Sequence, residues 1–174
     1  EDYAMDLDNR YKHGEFTNQD SIHLSDSQKY YTLRKHRVVY GGGGIMPDYF
    51  VPLDTTKYTK MHRLLTAKSI VINHSLKFID AHRQELKSQY KDFGKFLASY
   101  EVPQSLVEEI IADGKKEKIE PRDAAELAQT RKYLSIQLKA LVARDIWDMS
   151  QYFQVWNETN EIVMRAVKLL TTGK

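Results

Sequence analysis

The 174-residue chain has no cysteine, which excludes disulfide scaffolding, thiolate catalysis and Cys-ligated zinc together. No apolar run approaches the roughly 20 residues a membrane-spanning helix needs. The opening EDYAMDLDNR is acidic and lacks the apolar region of a secretory signal. It also lacks an initial Met, so the chain reads as a piece of a longer protein whose targeting signal would lie upstream. The charge balance, 26 basic against 24 acidic residues, gives no footprint of a nucleic-acid binder. Its densest basic run, Lys115 to Lys118, is interrupted by Glu117. A charged content of 29% beside a hydrophobic content of 41% is that of a folded globular chain.

Glycine is scarce too, yet four of the eight glycines are consecutive, in RVVYGGGGIMPDYFVPLD, Arg37 to Asp54. A phosphate cradle would need Gly-Lys-Ser/Thr, or a helix opening at the third glycine. Here Ile45, Met46 and Pro47 follow Gly44, and Pro47 biases Met46 away from helical geometry. The run therefore reads as a tight crossing between two strands, Arg37 to Tyr40 and Tyr49 to Val51, where backbones approach closely. Tyr30, Thr32, Val38 and Tyr40 favour strands, and residues 1 to 36 show no sustained helical period. They read as loop with some strand.

Beyond Pro52 the pattern is helical. Asp54, Thr55 and Thr56 offer capping oxygens, and Met61, Leu65, Ile72, Leu76, Ile79, Leu86 and Tyr90 recur near the 3.6-residue period. This predicts one long amphipathic helix, or two with a break near Thr66 to Ser69. Phe93, Phe96, Leu97 and Tyr100 predict a short helix. Pro103 suits the first turn of another, with Gly114 near its end. The longest run follows Pro121 and carries Leu127, Leu134, Leu138, Leu141 and Ile146. Asn157 or Thr159 suits the cap of a last helix with Ile162, Val163, Ala166, Val167 and Leu170 on one face, and Gly173 stands at its stop. Trp147, Tyr152, Phe153 and Trp156 are expected to be buried together with that helix. The predicted fold class is mainly α: a helical bundle over 55–174, preceded at 1–54 by an irregular segment with short strands around the glycine-rich crossing.

Chemistry-bearing patterns are weak. Ser88-Gln89-Tyr90-Lys91 has the Ser-x-x-Lys spacing but lacks its companion motifs, and a solvated lysine is no base for serine. His62, His74 and His82 do not share one helix face and form no H-E-x-x-H. Ser21, His23 and Asp26 are the residue types of a triad within six residues of loop, which adjacency alone does not orient. No catalytic residue, metal ligand or cofactor motif is assigned.

Read as strand, crossing and strand, the segment Arg37, Val38 to Tyr40, Gly41, Gly42, Gly43, Gly44, Ile45, Pro47, Asp48 and Val51-Pro52 resembles part of the carboxyl-terminal processing (tail-specific) serine peptidases. EDYAMDLDNRYKHGEF resembles the insertion after the protease core in one bacterial branch of that family, and Leu138 to Leu170 resembles its C-terminal helical region. The resemblance implies an extracytoplasmic, periplasmic parent that cleaves protein C-terminal tails with a Ser/Lys dyad. PDZ domain and dyad would lie upstream, so this chain inherits no catalytic residue. It implies, as partners, the parent's core and PDZ domain, with self-association or an adaptor protein beside them. Neither nucleic acid nor direct membrane insertion by this segment is expected. The competing reading is a stand-alone helical protein-protein interaction module.

Overall fold

The computed structural model describes residues 2–23, 26–41 and 49–173. It is mainly helical with one small antiparallel sheet, in two compact units, Glu1–Thr55 and Thr56–Lys174.

The first unit opens with helix α1, Asp2–Lys12, where a loop was expected. Local charge accounts for it: Lys12 pairs with Asp8 one turn back at 2.5 Å, and Arg10 and Lys12 sit in the last turn, where the helix dipole favours cations. Such support leaves no apolar period to read. Arg10 then reaches Glu15 at 2.9 Å and lies over the Phe16 ring, while Leu53 N–H donates to Phe16 O at 2.8 Å.

Strands β1, Lys29–Tyr31, and β2, Val38–Tyr40, pair antiparallel with Lys29 opposite Tyr40 and Tyr31 opposite Val38. The connection is Thr32 to Arg37 and not the glycine run. Thr32 N–H donates to Arg37 O, and the Thr32 hydroxyl accepts from Arg37 N–H. Tyr49 to Val51, the expected second strand, is not strand; β2 finds its partner upstream in Lys29–Tyr31 instead. Gly42 to Asp48, the rest of the proposed crossing, lies outside the described residues. Among the residues of this unit whose side chains are described, 5–23, 26–27, 29–41 and 49–55, none is buried.

The second unit is a bundle of α2 Lys60–Ala67, α3 Ile70–Gln89, α4 Phe93–Ser99, α5 Gln104–Lys116, α6 Ala124–Ile146, α7 Met149–Asn157 and α8 Glu161–Thr172. The cap of α2 is Thr59, whose hydroxyl accepts from His62 N–H at 3.0 Å, three to five residues past the expected capping positions. The expected break after Thr66 is present: Ser69 adopts the left-handed region at φ 60°, and α3 starts anew. Asp92 caps α4 and Asp123 caps α6. Glu126, in the first turn of α6, accepts from the N–H groups of Arg122 at 2.7 Å and Met61 at 3.3 Å. Those two donors hold its carboxyl below the ordinary range and join the starts of α2 and α6.

The core has two halves, both crossed by α3 and α6. Met61, Leu65 and Val71 meet Leu106, Ile110, Leu134 and Leu138 in one; Ile79, Leu86, Tyr90, Phe96 and Tyr100 meet Val142 and Val155 in the other. Each such side chain contributes about 1.5 to 3 kcal/mol through apolar burial. Between α5 and α6, Arg131 holds Glu108 through two bonds of 2.8 and 3.0 Å.

The end of α5 departs from the usual chemistry. Lys118 N–H donates to Lys115 O and Ile119 N–H to Gly114 O at 2.8 Å, the paired bonds of a Schellman stop. The left-handed position is Lys118, at φ 58°, and not a glycine. Its side chain is exposed. Lys118→Gly is therefore expected to raise unfolding stability by about 1 kcal/mol, since an L side chain in that region costs about 1 to 2 kcal/mol. Urea melts check this, and a loss of stability would show that the lysine side chain itself holds the turn.

Candidate functional site

After α6, Trp147 N–H still bonds to Ala143 O, and Asp148 then caps α7 by accepting from Ser150 N–H at 2.6 Å. This turn sends α7 back along α6. Val155 is buried there, while Tyr152 and Trp156 are half-buried. Tyr58, just ahead of α2, stacks near-parallel to Trp156 at 5.8 Å and to His62 at 5.2 Å. Tyr152 stacks on Trp156 at 5.8 Å, and Tyr133 of α6 meets Tyr58 edge-on. Lys57 donates to Thr159 O and lies over the Tyr58 and Tyr133 rings. Burial raises the Tyr58 hydroxyl, with Tyr133 and Tyr152 adding to it, and burial raises that of Tyr152.

The four aromatics singled out from sequence do not form one buried cluster. Trp147 turns to Phe93 and Phe96, at 5.5 and 5.1 Å, and not to the Tyr58–Trp156 stack, although both tryptophans pack on the same half of the core. Phe153 meets Tyr152 edge-on but is 50% exposed. With Val155 packed on the core, its neighbour Phe153, two positions back and about 200° round the helix, faces out.

Helix α8 is capped by Asn160, which accepts from Ile162 and Val163 N–H, and ends at Gly173 in the left-handed region, φ 67°. The cap lies one residue beyond Thr159 and the stop falls where expected. None of its residues is buried, contrary to the expectation for the final helix, and Leu170 is 87% exposed. Met164 is exposed about 200° round the helix from Ile162, while Ile162 and Val167 are exposed with Leu170 on one side. That is an apolar face of the kind that marks interaction sites.

The remaining polar cluster lies between α3 and α5. His74 Nε2 is 2.7 Å from Asp113 Oδ2, and Nδ1 is 3.8 Å from Glu109. Lys116, 2.6 Å away, and then His74 hold the Asp113 carboxyl down to about 2. Beside it a cleft of about 480 Å³ is lined by His74, Phe78, His82, Pro103, Ser105 and Glu109, among others. His82 stacks on Phe78 at 4.4 Å. The pair ties α3 to α5. A partnership across 39 residues leaves no local signature in a sequence.

Ser88 donates to Glu85 O on the exposed side of α3, and Lys91 lies past the helix end, with Tyr90 buried between. The two share no bond. Ser21, His23 and Asp26 form none with one another. His62, His74 and His82 are separate, and among the described residues no three His, Asp or Glu gather in metal-binding geometry. Arg37 and Tyr40 belong to the hairpin, Arg37 exposed and Tyr40 and Gly41 half-buried. Gly42, Gly43, Gly44, Ile45, Pro47 and Asp48 lie outside the described residues.

No helix is long and apolar enough to cross a membrane among the described residues. No curated protein and no solved structure matches the chain. Residues 61–148, half of the chain, match a family of unknown function, and the match runs from α2 to the residue before α7. The chain belongs to that family, DUF8443.

Proposed function

We propose that this chain is the non-catalytic C-terminal region of a carboxyl-terminal processing serine peptidase, serving architecture, assembly or adaptor contact while the parent's upstream core cleaves protein tails. The observation that carries the reading is the β1–β2 hairpin. Val38 to Tyr40, the lead into the GGGGIMPD segment, forms half of a two-stranded sheet with no buried residue. Two strands alone are marginal in water, and open edges accept further strands. A sheet in an upstream core would supply both missing partners. The parent is then periplasmic and needs no cofactor for a Ser/Lys dyad.

Hydrogen exchange tests the reading. Amides of residues 29–31 and 38–40 are expected to exchange at least about tenfold more slowly in the parent protein than in this chain. Equal rates, or an open reading frame with no Ser/Lys core upstream, would reject it.

One observation favours the second reading, a stand-alone helical protein-protein interaction module: the uncovered apolar face of α8. Leu170→Asp is expected to change unfolding stability by no more than about 0.5 kcal/mol, the range of surface substitutions, while weakening attachment to any partner seated on that face. A loss above about 2 kcal/mol in thermal or urea melts would mean that Leu170 packs on its own bundle.

A further inference from the structure

We propose that His62 is an acid-operated latch: its imidazole is 4% exposed with neither nitrogen hydrogen-bonded, and through its stack on Tyr58 it couples α2 to Trp156 of α7, so that taking up a proton unseats the stack. The inference does not depend on what the bundle binds.

A neutral ring suits this position, since it is buried and stacked on the Tyr58 ring. A charged one does not, because it carries two N–H donors with neither nitrogen hydrogen-bonded and only the Gln137 amide near enough to answer one of them. The charged groups on neighbouring elements are already engaged. Arg63, next along α2, donates to Tyr58 O, and its positive charge opposes a second one. From α6, Glu126 is bonded to Met61 and Arg122 N–H, and Arg131 to Glu108. Gln137 and Tyr133 on that helix are uncharged. From α3, His74 is held by Asp113, and Ser75 is neutral. Ahead of α2, Lys57 is bonded to Thr159 O beside Tyr58. From α7, Tyr152 brings a hydroxyl that burial keeps neutral and Trp156 an indole, neither of them charged. Burial accordingly pushes the imidazole below its ordinary value, Gln137 opposing and Arg63 adding.

The sign follows from linkage. The unfolded chain takes up the proton near the ordinary histidine value of about 6.5, while the folded chain resists it until lower pH. The stabilising contribution of neutral His62 is complete above about 6.5 and lost as pH falls from there to the folded value.

The full chain carrying fluorotryptophan at Trp147 and Trp156 reads the latch by ¹⁹F NMR from pH 8 to 5, with urea melts at each pH. The Trp156 resonance is expected to move in one titration centred below about 6.5 while that of Trp147, whose ring meets Phe93 and Phe96 and not Tyr58, stays. The folding constant attributable to this group should fall by up to about tenfold per pH unit in that window. His62→Gln should remove both effects. A Trp156 titration unchanged in His62→Gln overturns the proposal. The ring proton of His62 in the unsubstituted chain decides independently of how that variant folds: a midpoint below the ordinary histidine value of about 6.5 supports the latch, and one at or above it overturns it.

Discussion

Phe96→Ala is expected to lower the stability of the bundle by about 3 to 5 kcal/mol, the range for emptying a fully buried phenylalanine site. Phe96 is 1% exposed. Its ring stacks on Tyr100 at 4.6 Å and meets Tyr90 and Trp147 at steep angles, at 5.4 and 5.1 Å. These rings come from α4, its two flanks and the end of α6, so they have no common element that lets them close over a void. Lys139 of α6 also lies over the Phe96 ring and donates at 2.7 Å to Leu97 O, one of the α4 carbonyls without an intrahelical partner. The loss is a large share of the 5 to 15 kcal/mol typical of a domain. Urea melts at fixed pH measure it, and a cost under about 1 kcal/mol would show that α4 is peripheral to the fold.

Gly114→Ala is expected to destabilise by about 1 to 3 kcal/mol, against the gain of about 1 kcal/mol that helix propensity alone assigns to it. A Cβ at position 114 would stand 2.5 Å from Leu65 Cδ2. Leu65 is itself 0% exposed, so its methyl cannot withdraw into solvent, and the close passage of α2 over α5 depends on that missing carbon. Leu65→Ala alone should cost about 2 to 5 kcal/mol. Made together, the two changes should cost less than their sum by about 0.5 to 3 kcal/mol. Simple additivity, or stabilisation by Gly114→Ala alone, would show that Leu65 repacks freely. The contrast with Lys118 is instructive. Four residues apart, one glycine is needed for packing inside a helix and another is absent where backbone geometry would favour it.

Legibility tracked how local the cause was. The helices from α3 to α6 were readable because one face of each is buried, which imprints a 3.6-residue period; the interruption at Ser69 was readable because that period falters. Element starts were less so. Asp54, Thr55, Thr56 and Thr59 all carry capping oxygens, and Glu126, 67 residues beyond Thr59, helps hold the start that was used. Helix α1 left no trace because charge pairs, not burial, hold it. The outward turn of Phe153 and the bare face of α8 were unreadable for a different reason: periodicity identifies an apolar face and says nothing about whether anything covers it. The His74–Asp113 pair and the placement of His62 depend on how helices far apart in sequence meet.

Helix α6 packs against α2, α3, α5 and α7, and this has a consequence for how the protein is made. A ribosome releases the chain from its N-terminal end, so the inward faces of α2 and α3 emerge long before the surface they rest on. Roughly 86 residues separate the start of α2 from the end of α6. At about 5 to 20 residues per second, the nascent bundle waits on the order of 4 to 17 s with leucine and isoleucine side chains uncovered. A chain interrupted before Ile146 leaves its core open, and one half of that core still waits for Val155, nine residues beyond Ile146, to be covered.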